Sequence, residues 1–257
     1  MTKNVIDLDD QMLADFQDEA REIVNAIDVH LQNARSKTNI DAALTGIQRE
    51  VFNLRYKGKS VNAPLINLTS HRLADYATAC RDLNEDAIND IQAFVDKILG
   101  ILDGEITGDS TDSAEFVREL PSKRSPDIDP NWLKKANVEA LLVIPQKSMA
   151  GIVERELAAC GYRSSVTKSS FEALELAVRT RPDFILVAKT IDELDGVDLA
   201  NALQAMPKTR NIPIAVLTAD APNHPSLHDL PLRTAIIRKG GSFGDDLAEA
   251  LARFNIT

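Results

Sequence analysis

Residues 181–188, RPDFILVA, indicate the fold of the C-terminal half. The apolar end of this segment, residues 184–188, is short and follows a Pro-Asp pair, which is typical of a strand buried on both faces. Similar strand candidates lie at residues 140–144, 163–167, 214–217 and 234–237. Helical stretches alternate with them at 148–160, 171–179, 197–206 and 244–254. Strands that alternate with helices in this way predict a parallel sheet with helices on both faces.

The N-terminal half has a different periodicity. Apolar residues recur at steps of three and four from Leu13 to Ala34 and from Ile40 to Leu54, and two further stripes follow before residue 103. This pattern predicts four amphipathic helices with short connections, which together form an antiparallel four-helix bundle. We therefore expect a bundle over residues 1–105, a linker rich in proline, glycine and polar residues over 106–136, and an α/β domain over 137–257. Trp132, at the far end of the linker, is expected to pack against the second domain.

Composition narrows the possible functions. The 257 residues contain 29 basic and 39 acidic side chains, a net charge of -10. Residues 1–105 hold 18 acidic and 11 basic residues and so carry seven of these ten charges. An acidic balance of this kind does not favour nucleic-acid binding. Two cysteines are too few for a disulfide framework or a zinc site. With no signal sequence and no long apolar run, we expect a cytoplasmic protein without a membrane segment.

The order of motifs in the second half resembles the receiver domain of bacterial response regulators. The segments are LLVIPQ at 141–146, RPDFILVA at 181–188, IPIAVLTA at 212–219 and IIRKGG at 236–241. The resemblance covers essentially all of residues 137–257. It implies a doubly wound, flavodoxin-like (βα)5 fold with a parallel sheet of strand order 2-1-3-4-5. It also implies an acid pair after the first strand, a phosphoacceptor aspartate ending the third, a Thr or Ser ending the fourth and a lysine ending the fifth.

The residues at these five positions depart from the receiver pattern. Counting back from two loop glycines places Ile144 and Pro145 at the acid pair and Ala188 at the phosphoacceptor. Thr218 and Lys239 match the last two positions. Magnesium requires several oxygen ligands and an acyl phosphate requires a carboxylate, and the first three side chains provide neither. We therefore expect a pseudo-receiver with no metal, no cofactor and no phosphorylation at the usual position.

The segment 219–233 is a further departure from receivers, because it contains Pro222, Pro225 and Pro231. Prolines in a helix interior remove hydrogen bonds and clash with the preceding turn. We therefore expect no regular helix between the fourth and fifth strands. In receivers this region belongs to the signalling face, so the fourth- and fifth-strand face is a candidate surface for dimerisation or partner binding.

The first half resembles the histidine-phosphotransfer (HPt) domain of chemotaxis kinases. The motifs are LRYKG at 54–58 and LTSHRL at 68–73. Lys57, Gly58 and His71 match the family pattern, whereas the phosphorylated position is Leu54, which has no nucleophilic nitrogen. Leu54 has two interpretations: a core leucine, or an exposed leucine on the face that docks receivers. His71 is expected to be a hydrogen-bonded helix residue, and Lys57 either a solvated helix-end charge or a contact to a partner's acids.

Glu50 and Asn53 form a Glu-x-x-Asn pair one turn before Leu54. Certain phosphatases of receiver aspartyl phosphates use a helical acid and an amide at this separation, which places both side chains on one helix face. This pair supports an alternative function as an aspartyl-phosphate phosphatase.

Three functions follow from these patterns. The leading hypothesis is a non-catalytic adaptor of a two-component phosphorelay, which binds a response-regulator receiver domain or a histidine kinase without phosphorylation. The alternatives are the phosphatase and a helical dimerisation scaffold that forms a homodimer.

Overall fold

The computed structural model describes residues 2–108, 110–122 and 138–256, with side chains from residue 8 onward. The chain divides into two compact units, residues 1–123 and 124–257. Residues 123–137, which include Trp132 and the rest of the expected linker, lie outside the described residues.

Four long helices build the first unit. They are α1 (Thr2–Arg35), α2 (Ile40–Gly58), α3 (Pro64–Ala79) and α4 (Glu85–Leu102). Connections of four to five residues separate them. Pro64 occupies the first turn of α3, where its missing N–H has no helical partner to lose. The side chain of Asn84 caps α4 by accepting a hydrogen bond from the Ala87 amide.

Contacts between neighbouring helices fix their directions. Lys57 of α2 pairs with Glu19 of α1 at 2.8 Å. Nearer the α1–α2 connection, the His30 ring lies against Gly46, where an added Cβ would be 2.4 Å away. These two contacts make α1 and α2 antiparallel. Arg21 contacts Asp103 and Arg35 contacts Gln92, so α1 and α4 are also antiparallel. Helix α3 contacts both α2 and α4, so each long helix packs against two others.

The faces that meet inside this unit are apolar. Ile27, Ile47, Leu54 and Phe94 have no solvent exposure. Complete burial of large aliphatic and aromatic side chains is the main source of folding free energy. Of the two interpretations of Leu54, the structure supports the core leucine, because Leu54 belongs to the apolar stripe that α2 turns toward its neighbours.

A fifth helix corrects the expected linker boundary. Helix α5 (Ser113–Glu119) begins at Asp112, whose side chain accepts hydrogen bonds from the Ala114 and Glu115 amides. Phe116 is 3% exposed and Leu120 is 1% exposed, so this part of residues 106–136 is folded. A seven-residue helix has only about two turns, which is too few to show a clear helical periodicity within a polar segment.

The second unit contains a parallel sheet of five strands. They are β1 (Glu139–Val143), β2 (Arg163–Thr167), β3 (Phe184–Ala188), β4 (Ile214–Thr218) and β5 (Ala235–Arg238). The strand order is β2-β1-β3-β4-β5. Every residue of β1, β3 and β4 is buried, as in sheets covered on both faces. The prediction of a helical N-terminal region followed by a five-stranded parallel sheet is confirmed.

Helices connect most of these strands. They are α6 (Lys147–Ala159), α7 (Ser170–Thr180), α8 (Gly196–Ala205) and the final α9 (Phe243–Arg253). Between β4 and β5 the chain instead forms a single 3₁₀ turn, Pro225–Leu227. The prolines of this segment therefore prevent the helix that a complete (βα)5 fold would place there. Among the described helices, none combines the length and apolar character needed to cross a membrane.

Replacing the core leucine tests this packing. We expect Leu54→Ala to lower the free energy of unfolding by about 2–5 kcal/mol, because it removes buried methyl groups and leaves a cavity. Urea unfolding followed by far-ultraviolet circular dichroism measures the change. Leu8→Ala is the matched control, since Leu8 is 58% exposed. Equal stability of the two variants would contradict the assignment of Leu54 to the core.

Candidate functional site

The carboxyl ends of four neighbouring strands bring together the residues expected at the site. Ile144 directly follows β1, Ala188 ends β3, Thr218 ends β4 and Lys239 directly follows β5. Strands β1 and β3 lie side by side although β2 comes between them in sequence. Such a switch point is where open α/β sheets bind ligands. The Lys239 amide donates to the Thr218 carbonyl at 2.7 Å.

Gly196 holds the loop after β3 close to the strand end. A Cβ at this position would lie 2.5 Å from the Ala188 carbonyl oxygen and 2.8 Å from the Lys189 Cα. The Gly196 amide donates to the Lys189 carbonyl at 2.7 Å. Only glycine permits this approach of two backbone segments. Gly196 is the loop glycine from which Ala188 was assigned to the phosphoacceptor position, and the two residues therefore lie in contact.

These strand ends do not fit a magnesium ion. Ile144 is 1% exposed and Ala188 is 4% exposed, and Pro145 is half-buried. None of the three side chains carries an oxygen ligand, which magnesium needs for its octahedral coordination. Pro145 also has no backbone N–H to donate. In the part of the chain that the structure describes, no group of three or more His, Cys, Asp or Glu side chains is placed to hold a metal.

A lysine and an aspartate join the ends of β3 and β4 instead. The Lys189 ammonium donates to a carboxylate oxygen of Asp220 and to the Ser226 hydroxyl. The side chains of Lys189 and Asp220 are 23% and 29% exposed, respectively. Partial burial of this kind makes a hydrogen-bonded ion pair stronger than one in free solvent. Lys189, Asp220 and Ser226 are hereafter the strand-end cluster.

Thr218 and His224 extend the strand-end cluster. The Thr218 hydroxyl lies 3.2 Å from the Asp220 carboxylate and accepts from the Asp220 amide at 3.0 Å. His224 Nδ1 is 2.7 Å from the Ser226 hydroxyl. The segment that replaces the fourth helix is thus tied back to the sheet. In the receiver pattern this threonine belongs to the phosphorylation site, whereas here the Thr218 hydroxyl is hydrogen-bonded to Asp220.

The same contacts lower the pKa of the Asp220 carboxyl. The hydrogen bond from Lys189 is the main cause, and the charge of Lys189 and the bond from Thr218 act in the same direction against desolvation. Because the folded-state pKa lies below the unfolded value, the pair stabilises the fold above the ordinary carboxyl range. That stabilisation is lost as the pH falls through the folded-state pKa.

Sequence reasoning missed Lys189 and Asp220, although a signal was present. Lys189 directly follows β3 and Asp220 comes two residues after the end of β4. Because β3 and β4 are parallel neighbours, their carboxyl ends meet at one edge of the sheet. A positive and a negative residue at these two ends therefore predict an ion pair once the strand order is known.

Two acids in the loop after β3 make specific contacts. The Glu193 carboxylate accepts from the Ser170 amide and from the Ser169 and Ser170 hydroxyls, at 2.7–2.8 Å. Hydrogen bonds from these serines lower the pKa of Glu193. Asp195 caps α8 by accepting from two backbone amides. Both acids therefore hold helix N-termini, which favour negative charge.

The candidate residues of the helical unit lie mainly at contacts between helices. Lys57 pairs with Glu19 of α1 at 2.8 Å, a contact within the unit that neither of its two expected roles included. Gly58 is buried against Asn67 of α3, where a Cβ would be 2.3 Å from the amide oxygen. His71 is 3% exposed, and its Nε2 is 3.8 Å from an Asp75 carboxylate oxygen. Leu54, Gly58 and His71 are buried and present little surface to a partner, whereas the Lys57 side chain is 42% exposed.

Glu50 and Asn53 do lie side by side, as their spacing implies. The Asn53 amide donates to Glu50 at 3.3 Å, and Arg49 donates to the other Glu50 oxygen at 2.8 Å. The Glu50 side chain is 14% exposed. Helical spacing places both residues on the α2 flank that carries Gly46 and Lys57, which contact α1. Both side chains are therefore engaged within the unit.

Comparison with curated proteins finds relatives that include a transcriptional regulatory protein and response regulators. The chain is 35% identical over 79 residues to the transcriptional regulatory protein PrrA of Mycobacterium leprae, covering 31% of this chain and 33% of that protein. It is 36% identical over 63 residues to the polar-differentiation response regulator DivK of Brucella anthropi, covering 24% of this chain and 51% of DivK. The chain thus spans about half or less of the length of these relatives. No protein-family model matches the chain.

Solved structures include receiver domains with a similar arrangement. The receiver domain of the sensor histidine kinase PA1611 from Pseudomonas aeruginosa, which holds a magnesium ion in its active-site cleft, is 22% identical, with a TM-score of 0.42. The match covers 46% of this chain and 98% of that domain. CheY4 of Vibrio cholerae is 21% identical with a TM-score of 0.41, over 46% of this chain and 98% of CheY4.

The C-terminal unit has the strand order expected of a receiver domain, and the relatives of the chain include response regulators. The unit is therefore receiver-like, although its strand ends carry Ile144, Pro145 and Ala188.

Removing the lysine of the strand-end cluster tests its electrostatics. We expect Lys189→Met to raise the pKa of Asp220 toward its ordinary value of about 3.9, because the main hydrogen-bond donor is lost. An NMR titration of side-chain carboxyl resonances measures this. Lys208→Met removes an exposed lysine elsewhere in the same unit and serves as the control. An unchanged Asp220 pKa in Lys189→Met would show that the pair does not form.

Proposed function

We propose that the protein is a non-catalytic adaptor of a two-component pathway, which acts by binding a receiver domain or a histidine kinase without being phosphorylated. The observation that carries this proposal is the chemistry of the strand ends. Ile144, Pro145 and Ala188 offer no carboxylate, and the Asp220 carboxylate is already bonded to Lys189. The domain keeps the receiver-like sheet and replaces its phosphoryl chemistry with a fixed internal contact.

The strand-end cluster supports a fixed signalling face. In this chain the segment 219–233 is shaped by prolines and joined to β3 through Asp220 and Ser226. Asn201 of α8 also donates to the Asp229 carbonyl at 2.8 Å. Preorganisation of this kind lowers the entropic cost of binding a partner. Leu232, which is 99% exposed, gives this face an apolar group for such a contact.

The helical unit supports the adaptor function in a second way. Its four long helices resemble the scaffold of a phosphotransfer domain, while the position of the phosphorylated histidine is a buried leucine. A buried aliphatic side chain neither accepts a phosphoryl group nor meets a partner's active site. We therefore assign this unit to binding rather than to phosphotransfer.

The phosphatase alternative is less well supported by the contacts of Glu50 and Asn53. An amide that orients an attacking water needs its donor directed at solvent, whereas the Asn53 amide donates to Glu50. The Glu50 carboxylate in turn accepts from Arg49 through two nitrogens. We therefore propose no hydrolytic role for the pair.

Binding and decay measurements on one sample test the adaptor function. Purified receiver domains and histidine kinases of the source cell are titrated with this protein before and after its incubation with acetyl phosphate and Mg²⁺. We expect at least one of them to bind with an affinity that this treatment leaves unchanged. We also expect the aspartyl phosphate of a phosphorylated receiver to decay at its own rate in the presence of this protein.

Two results would contradict the adaptor function. One is an affinity that changes after the treatment with acetyl phosphate. The other is faster loss of phosphate from the receiver that Glu50→Ala and Asn53→Ala each abolish, which would support the phosphatase instead.

A further inference from the structure

The outward face of α2 carries a line of exposed residues that the core does not use. They are Thr45, Arg49, Phe52, Tyr56 and Lys59, which we call the α2 stripe. Phe52 is 66% exposed and Tyr56 is 74% exposed. Lys59 follows the last residue of α2 and keeps helical backbone angles, φ -65° and ψ -23°. Two neighbouring aromatic side chains in solvent mark a surface that favours an interaction.

The other faces of α2 are occupied by contacts within the unit. Ile47 and Leu54 face the core. Lys57 marks the flank toward α1 through its pair with Glu19. Gln48 marks the flank toward α3, because its amide donates to the Ala77 carbonyl at 2.9 Å. Helical periodicity places Phe52 opposite Leu54 and between these two flanks. The α2 stripe is therefore the outer surface of the helix.

The spacing of the α2 stripe is that of a coiled-coil seam. Its members follow one another at steps of four, three, four and three residues. A mean step of 3.5 residues keeps side chains facing a second helix along the whole contact. The five side chains therefore form one continuous line along which a second helix can pack.

The charges at the ends of the face identify that helix as a second copy of α2. Asp41 lies exposed at the start of α2 and Lys59 lies exposed at its end, both on the outward side. In an antiparallel pair, Asp41 of each copy meets Lys59 of the other. In a parallel pair, like charges would meet at both ends. Antiparallel helices also place opposite ends of their dipoles together.

The same antiparallel register matches the residues at the centre. Arg49 lies opposite Phe52 of the second copy, and Thr45 lies opposite Tyr56. The Arg49 side chain is 69% exposed while its guanidinium is hydrogen-bonded to Glu50, which leaves the guanidinium plane available to stack on an aromatic ring. Such cation–π contacts are favourable, especially once water is excluded.

We infer that the protein forms a homodimer through antiparallel pairing of its α2 stripes. This inference goes beyond the adaptor function and does not depend on it, since the dimer uses the helical unit and no contact of the strand ends. One dimer would present two receiver-like domains at once, which raises the avidity for a partner that is itself dimeric.

Sedimentation equilibrium of the full chain over a range of concentrations tests the dimer. We expect a species of twice the 28.2 kDa mass of one chain. Phe52→Ala with Tyr56→Ala should raise the dissociation constant by about tenfold or more, because buried aromatic residues dominate small interfaces. Phe171→Ala is the control, because Phe171 is 60% exposed but lies in the other unit. Circular dichroism establishes that each variant is folded.

Charge exchange tests the register. Asp41→Lys alone and Lys59→Asp alone should each weaken the dimer several-fold, because each places like charges together. The two changes in one chain should restore it, because they exchange the two members of each pair. A monomer at every concentration would overturn the inference. So would a dimer insensitive to the aromatic variants, a double exchange that fails to restore it, or a purified receiver domain that binds the α2 stripe in place of a second copy.

Discussion

The ion pair between Lys189 and Asp220 is the contact on which the account of the C-terminal unit depends. It links the carboxyl ends of two adjacent parallel strands, at the edge where α/β sheets bind ligands. In the receiver pattern this edge holds carboxylates that bind a metal and accept a phosphoryl group. Here it holds the ion pair of Lys189 and Asp220. We therefore propose that folding, rather than a phosphodonor, sets the state of this edge.

This constraint also accounts for the unusual segment between β4 and β5. A loop of this length without a helix has few backbone hydrogen bonds of its own, so its ordering needs contacts to the rest of the fold. Asp220, Ser226 and His224 supply them through Lys189 and through each other. The prolines reduce the number of conformations open to the unfolded segment. The strand-end cluster and the prolines together restrict this segment, which corresponds to the signalling surface of receivers, to one conformation.

Sequence periodicity predicted the elements of the sheet closely. The bounds of β2 and β3 agree with expectation, β4 is longer by one residue, and β1 and β5 are each shifted by one residue. Buried parallel strands are short apolar runs that local sequence identifies well. The strand-end cluster could not be found in this way, because its members lie 31 and 37 residues from Lys189 along the chain. Only the strand order brings them together.

The helical unit shows the same limit in a different form. The family motif places Leu54 at a functional position, whereas the helical periodicity of α2 places it on the apolar stripe. The structure agrees with the periodicity, because Leu54 is fully buried. The sequence did not predict the exposure of Phe52 and Tyr56, since aromatic residues in a helix are usually buried. Helix α5 was missed because packing rather than periodicity stabilises so short a helix.

Phosphorylation is the most direct test of the central claim, that the strand-end cluster takes the place of phosphoryl chemistry. The intact protein is incubated with acetyl phosphate and Mg²⁺ and its mass is measured, with a receiver domain that has the full acid set as the positive control. We expect the mass of this protein to stay unchanged while the control gains a phosphoryl group. A phosphoryl group on this protein that maps to residues 184–196 would contradict the claim.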